Sequence, residues 1–307
     1  MTTTAPVPLL TAATPREWLA THLVAHQAAH DEDGGSPDRT WITLDELLAD
    51  GAAALRAAHA RLVTDGATPQ AAAKWLVSWF AGRLADAVGH TWASAASALL
   101  VRPDAVRFRL HPDRWPDRAD PGPVPVAVAP GHPWAGQEGV AVRDADALAD
   151  AAVAALTAAT TPVVEACRTL ARVGRPALWA EVADGFGLAV LFRLDVPVDP
   201  AAVDRLRRAL DSPVRPWRKV PSLRVARESD GPVYLGRKGG CCLAYQCDAP
   251  GEPDPAALPE RERAYHERFP RRADEPRYCS TCSLRDLAGC EERQLFWWAQ
   301  ERAAHRG

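Results

Sequence analysis

The sequence predicts a predominantly helical α+β fold, a helical body with a small sheet followed by a C-terminal cysteine-ligated region. Three observations predict it. Ala, Leu and Val dominate the apolar residues, which favours helix as the main core element. Helix-start signals recur along the chain, whereas apolar/polar alternation is confined to a few short stretches. Six of the seven cysteines, Cys241, Cys242, Cys247, Cys279, Cys282 and Cys290, fall in the last 67 residues, with Cys167 alone in mid-chain.

The elements follow in order. Residues 1–13 read as a loose tail. Thr14-Pro15-Arg16-Glu17 is a capping box with Pro at the first helical position, predicting a helix to about His30. Asp31 to Asp38 reads as loop. Thr43 with Glu46 starts a second helix ending near Asp65-Gly66, and Thr68-Pro69 a third, with a break expected near Gly89 and helix continuing from Trp92 to Val101. Val106, Phe108 and Leu110 alternate with polar residues and predict a half-buried strand, with a second at Val124 to Val128 between Pro-rich loops. Helices are expected over 144–158, 161–173, 176–187 and 199–210, with an apolar run from Gly187 to Leu194 ending as strand. Val220 to Val225 and Val233 to Leu235 form a hairpin across Ser229-Asp230-Gly231. A last helix runs from about Gly289 to Ala304, with Glu291 and Glu292 near its positive end and Arg302 and Arg306 at its negative end. Residues 1–230 are taken as the body and 231–307 as the cysteine-bearing region, with an insert at 248–276.

The totals exclude several classes of protein. The 307 residues carry a formal net charge of −3, which argues against a nucleic-acid partner. The longest apolar stretch considered, Thr91 to Val101, falls well short of the roughly 18–20 residues a transmembrane helix needs. The opening MTTTAPVPLL has no basic n-region and no sustained apolar core. The expectation is a cytoplasmic protein without a transmembrane segment, compatible with peripheral membrane contact. Only Lys74, Lys219 and Lys238 are lysines among many arginines, read as base composition rather than function. No phosphate-binding Gly loop and no Ser–His–Asp arrangement is present.

In a cytoplasmic chain, clustered cysteines are read as metal or redox ligands before disulfides. Cys279-Ser280-Thr281-Cys282 is a C-x-x-C pair whose thiolates reach one metal across a tight turn, a half-site that zinc and iron–sulfur clusters share. Cys241-Cys242 is more telling. Neighbouring side chains on a regular strand point to opposite faces, so two adjacent ligands require an irregular backbone. Gly239 and Gly240 directly before them supply that freedom. Structural zinc sites favour two spaced pairs, so the adjacent pair tilts the reading toward iron–sulfur, with zinc as the alternative.

The two halves, Arg237-Lys238-Gly239-Gly240-Cys241-Cys242-Leu243 and Cys279-Ser280-Thr281-Cys282-Ser283-Leu284-Arg285, resemble the C-terminal signature of FhuF-type ferric-siderophore reductases. The helical stretch Ala71-Ala72-Lys74-Trp75-Leu76-Val77 through Ala98-Leu99-Leu100 is similar in character. The resemblance implies a [2Fe–2S] cluster held by Cys241, Cys242, Cys279 and Cys282. It also implies one-electron reduction of a ferric siderophore, of hydroxamate type, by electrons from a ferredoxin-like or flavin-dependent donor.

One departure is the spacing: 36 residues separate Cys242 from Cys279, against about ten in the family. The longer loop raises closure cost by only ~1 kcal/mol, small against metal-site free energies of roughly 10 kcal/mol. The insert carries six prolines and reads as an exposed excursion with a short helix around Glu260 to Phe269. Cys242, Cys279, Cys282 and Cys290 form an alternative set, loosely like WhiB-type regulators but without their Gly-Trp turn. Cys167, Cys247 and Cys290 otherwise read as buried or free thiols.

Charge suggests partners as well. Four thiolates leave a [2Fe–2S] group dianionic when oxidised and trianionic when reduced, so Arg237 and Lys238 would favour the reduced state. The Gly-Gly amides would bond the sulfurs to similar effect. Arg205 to Lys238 holds ten basic and three acidic residues, a docking face for an acidic donor or simply a solvated surface. His22, His26 and His30 share one helix face without an acidic or cysteine partner. Phe296-Trp297-Trp298 reads as core packing of the last helix, with siderophore contact as the alternative.

Overall fold

A computed structural model describes residues 14–19, 39–111, 115–191, 193, 198–229, 231–247, 258–270 and 278–306. The histidines at 22, 26 and 30 and most of the insert lie outside the described residues. Helices dominate, with three small sheets, as the fold class predicts.

The capping signals operate as read. Thr14 and Glu17 close a reciprocal box on α1 (Pro15–Trp18), and Thr43 and Glu46 do so on α2 (Leu44–Thr64), which ends at Asp65. Within α2 the chain leaves helical geometry from Ala49 to Ala52, where the Arg56 guanidinium bonds the Asp50 and Gly51 carbonyls. Thr68 caps α3 (Pro69–Val77), which passes through a π-helical turn (Ser78–Gly82) into α4 (Arg83–Ala95).

The break expected at Gly89 does not occur. Instead α4 runs through it and crosses α6 (Arg175–Gly187) so closely that a Cβ on Gly89 would overlap the Phe186 carbonyl. Gly89→Ala should gain helix propensity of about 1 kcal/mol but force the helices apart, a net loss of about 2–3 kcal/mol. A urea denaturation midpoint measures it. The helix expected from Trp92 to Val101 continues only to Ala95: Ala96 turns left-handed, and β2 (Ser97–Leu99) follows.

The strand at Val106–Leu110 forms as β3 (Arg107–Leu110), between β1 (Thr40–Thr43) and β4 (Pro116–Asp120), both antiparallel to it. Ile42 opposes Phe108, whose ring stacks edge-on against Phe80 in the core. Asp117, almost fully buried, pairs with Arg39 and Arg109. β5 (Val126–Val128) joins β2 antiparallel and β6 (Val140–Val142) parallel.

The helices expected on either side of residue 160 are one continuous element, α5 (Ala145–Leu170), with Pro162 inside it. The Thr160 and Thr161 hydroxyls donate to the Leu156 and Thr157 carbonyls, supplying local bonds around the proline. Contrary to the sequence expectation, α5 is long and apolar enough to cross a membrane by length and composition. Its Leu148, Val153, Leu156, Val163 and Val164 are buried in the core, and Cys167 is buried with its thiol pushed up to about 12 by that burial. The run after Gly187 forms a turn through Leu191, and the end of the run, where strand is expected, lies outside the described residues apart from residue 193.

α7 (Pro200–Leu210) leads to the predicted hairpin, β7 (Ser222–Glu228) with β8 (Gly231–Arg237), registered from Ser222 opposite Arg237 to Glu228 opposite Gly231. The final helix, α9 (Leu287–Arg306), packs on β8. Trp298 Nε1 donates to the Tyr234 carbonyl at 2.8 Å, so this tryptophan belongs to the core.

The insert is not simply an exposed excursion. Its helix α8 (Glu260–Arg268) lies on α9, with Tyr265 stacked on Trp297 and Phe269 edge-on to Phe296. Arg261 and Arg268 pair with Glu301 and Glu292. Phe296 and Trp297 are therefore engaged by the insert.

Candidate metal centre

β8 delivers the first cysteine pair. The chain leaves the strand at Arg237, and Lys238 N–H donates to the Thr281 carbonyl at 2.9 Å, joining the loop at 238–243 to the C-x-x-C turn. The Arg237 guanidinium bonds the carbonyls of Cys282 and Ser283, and Ser283 Oγ donates to the Gly240 carbonyl at 3.0 Å. Buried Gln294 of α9 exchanges two bonds with the Gly236 backbone and donates to the Ser280 carbonyl. Two segments 36 residues apart in sequence are thus locked side by side by backbone and side-chain bonds.

The Gly-Gly pair serves a purpose other than the one expected. Neither glycine occupies the left-handed region; Leu243, just after the cysteines, does, at φ 61°. The glycines are needed for close approach. A Cβ on Gly239 would overlap the Val220 backbone, and one on Gly240 would stand 2.8 Å from the Ala180 Cβ. Their N–H groups also donate not to sulfur but to Asp184 of α6, at 2.7 and 3.1 Å. On the other side, Trp75 Nε1 of α3 donates to the Cys242 carbonyl at 2.9 Å.

The four sequence-predicted cysteines fall in one neighbourhood. Cys242 and Cys279 face each other within hydrogen-bonding range, which lowers the Cys279 thiol and raises that of Cys242; Lys238 further favours the Cys279 thiolate. Cys241 adjoins Cys242, its thiol raised chiefly by burial, and Cys282 lies next to Cys279 and is itself buried. Amide donors face the sulfurs: Leu243 N–H to Cys241 at 3.5 Å, Leu284 N–H to Cys282 at 3.4 Å, and Ala244 N–H to Cys242. Thr281 Oγ1 stands 3.7 Å from Cys279. Such donors favour thiolate over thiol. Among the described residues, no three His, Cys, Asp or Glu side chains converge on one point as ligands of a single metal ion would.

Cys290 and Cys247 bond the backbone of the same two loops. The Cys290 thiol, buried and raised by that burial, donates to the Cys282 carbonyl at 3.3 Å, and the Cys247 thiol to the Leu243 carbonyl at 3.7 Å.

Behind the loops lies a charged group of which the sequence reading singled out only Lys238. Lys74 of α3 is 2% exposed and pairs with Glu181 of α6, 1% exposed, at 2.7 Å; it also donates to the Ala177 carbonyl. Lys238 approaches the other Glu181 oxygen at 3.9 Å. Burial opposes charge on Lys238, but Glu181, Cys279, Asp184 and Cys242 together outweigh it and raise the ammonium. Two of only three lysines in the chain therefore flank the cysteine loops. An ammonium is a compact point charge, where guanidinium would need a planar slot. In the basic stretch 205–238, by contrast, Arg205, Arg207, Arg208 and Arg224 pair with carboxylates, and Arg218, Lys219 and Arg227 stand exposed.

Burial, then Glu181, pushes the Asp184 carboxyl up to about 7, against the pull of Lys238 and the two glycine amides. A folded-state pKa above the unfolded value near 4 means that the native chain holds the proton more tightly. Stability from this group is full at low pH and is lost as pH rises from about 4 to 7. In the metal-free protein, Asp184→Asn should remove that slope. Between pH 4.5 and 7.5, the difference in unfolding free energy between variant and parent should shift by about 3 kcal/mol in the variant's favour. Urea unfolding at the two pH values measures it.

Compared with known proteins, the chain matches no family model, no curated protein and no solved structure.

Proposed function

We propose that this chain holds a [2Fe–2S] group through Cys241, Cys242, Cys279 and Cys282 and reduces ferric siderophores of the hydroxamate class. The observation that carries the reading is the donor set: four thiols on two interlocked loops, amide hydrogens on three of the sulfurs, and two lysines behind them. These residues fit a thiolate-bound, negatively charged group. Two irons ask for two thiolate pairs rather than convergence of all ligands on one ion.

When bound, such a group supplies a one-electron store. The chain's own residues do the rest. Lys74 and Lys238 would offset the negative charge of such a group in a low-dielectric setting, and the amide hydrogens would do so at the sulfurs, both favouring its reduced state. Trp75, Arg237, Ser283 and Asp184 hold the loops in register. In the net reaction a ferredoxin-like or flavin-dependent donor loses one electron and chelated Fe(III) gains it. Hydroxamate oxygens hold Fe(II) far less tightly, and the metal leaves.

The test is anaerobic. Dithionite-reduced protein, freed of excess reductant, is mixed with a ferric trihydroxamate in the presence of a ferrous trap. Reoxidation of the visible spectrum with stoichiometric Fe(II) capture is expected. Reoxidation no faster than with the gallium(III) complex would remove the reductase reading.

A further inference from the structure

The insert that lengthens the cysteine spacing carries a helix that adds nothing to the core. No residue of α8 is fully buried, and its charged composition leaves Tyr265 and, at its end, Phe269 as the large apolar side chains. Both turn to α9. Tyr265 stacks on Trp297 at 5.0 Å and meets Phe296 edge-on, while Phe269 lies edge-on to Phe296 with the Arg293 guanidinium 4.6 Å from its ring. These four rings stand apart from the hydrophobic core of the body. The ion pairs between the two helices, Arg261–Glu301 and Arg268–Glu292, are solvent-accessible, and such pairs contribute little. The rings hold the helix in place.

What this layer covers is the Cys279 side of the metal centre. The Tyr265 hydroxyl bonds Arg293 and lies within electrostatic reach of Arg285 and Cys279. The Arg285 guanidinium stands 5.4 Å from the Tyr278 ring and donates to the Tyr278 carbonyl at 3.2 Å. Tyr278 directly precedes Cys279, and its ring lies 6.2 Å from that of Tyr245, three residues after Cys242. Rings and guanidinium planes thus flank the facing pair Cys242 and Cys279. At Cys282 the centre is open by contrast: Leu284, whose N–H faces that sulfur, is 51% exposed. The shell around a thiolate-bound group sets its solvent access and local dielectric.

We propose that α8 and its aromatic contacts form a fixed cover over the Cys279 side of the metal centre, keeping water and dioxygen from the thiolate-bound group and leaving the Cys282 side as its approach. The cover rests on the thiolate-bound group of the reading above but not on siderophore reduction, and one arm of its test needs no metal. In the metal-free, reduced protein, N-ethylmaleimide adds across its double bond, one carbon taking the thiol sulfur and the other the proton. Peptide mass spectrometry reads each cysteine separately. Tyr265→Ala and Phe269→Ala should each speed labelling of Cys279 by about fivefold or more, against no more than about twofold at Cys241, with circular dichroism unchanged. Tyr265→Phe, which keeps the ring and loses only the hydroxyl, should label like the parent. In the loaded protein, reduced anaerobically and mixed with air-saturated buffer, one electron passes from the group to dioxygen and gives superoxide. The oxidised visible spectrum should return about tenfold faster in the alanine variants. Either alanine variant suffices should the other misfold. Unchanged labelling of Cys279 in both overturns the cover, as does equal acceleration at Cys241 and Cys279, which marks general loosening. Faster labelling with unchanged reoxidation by dioxygen overturns the protective role. A chain that takes up no iron removes the reading of the metal centre and the protective role with it, while the labelling result still stands for the cover.

Discussion

Lys74→Met is expected to cost about 3–5 kcal/mol, because it strands a buried carboxylate rather than merely deleting a contact. Glu181 is 1% exposed, and its remaining cation, Lys238, stands at 3.9 Å against 2.7 Å for Lys74. The pair joins α3 to α6, the two helices that also bind the first cysteine loop through Trp75 and Asp184. Loss of the cation should therefore loosen that loop as well as the body. Lys74→Met/Glu181→Leu should recover most of the stability, since an apolar pair of similar volume replaces a buried ion pair at little cost. The potential of the loaded protein separates charge from packing. It should fall in the single lysine variant and return toward the parent value in the double variant. Chemical denaturation and redox titration of the three proteins measure both effects.

Serine at Cys241, Cys242, Cys279 or Cys282 should abolish the visible spectrum in each case. Because metal binding and folding are linked, much of a metal-site free energy of order 10 kcal/mol leaves the apparent stability of the C-terminal region with it. Serine at Cys247 or Cys290 should leave the spectrum in place. Both thiols already donate to backbone carbonyls, of Leu243 and Cys282, a role a hydroxyl can take over. Absorbance and iron content of the six variants decide the ligand set. Loss of colour at Cys290 with retention at Cys241 would transfer the assignment to the alternative set.

Much of this fold was legible because its signals are local. Thr14, Thr43 and Thr68 announce helix starts within four residues, and the alternation around Phe108 and the two short runs flanking Ser229-Asp230-Gly231 announce strands. The short strands at Thr40–Thr43, Pro116–Asp120 and Val140–Val142 carry no such pattern. They exist through their partners, one of them opening on a proline. Gly89 was read as a break and 144–173 as two helices, yet helix crossing explains the first and the second is one helix in which threonine hydroxyls accompany Pro162.

The candidate site divides in the same way. Its cysteines stand out in the sequence through spacing alone. Lys74, Glu181 and Asp184 do not, because their roles arise where helices distant in sequence meet, Lys74 bonding a carbonyl 103 residues away. The glycines before Cys241 were noticed for a reason the structure replaces. They admit the loop against Val220 and Ala180 rather than bending it, and the left-handed residue is Leu243.

The central claim is that the four cysteines hold a two-iron cluster. Metal and acid-labile sulfide analysis of anaerobically purified protein, with an EPR spectrum after dithionite reduction, tests it most directly. A coloured protein with two irons and two sulfides per chain and a spin-half signal on reduction is the expected result. A colourless protein with one zinc per chain and no signal would contradict it.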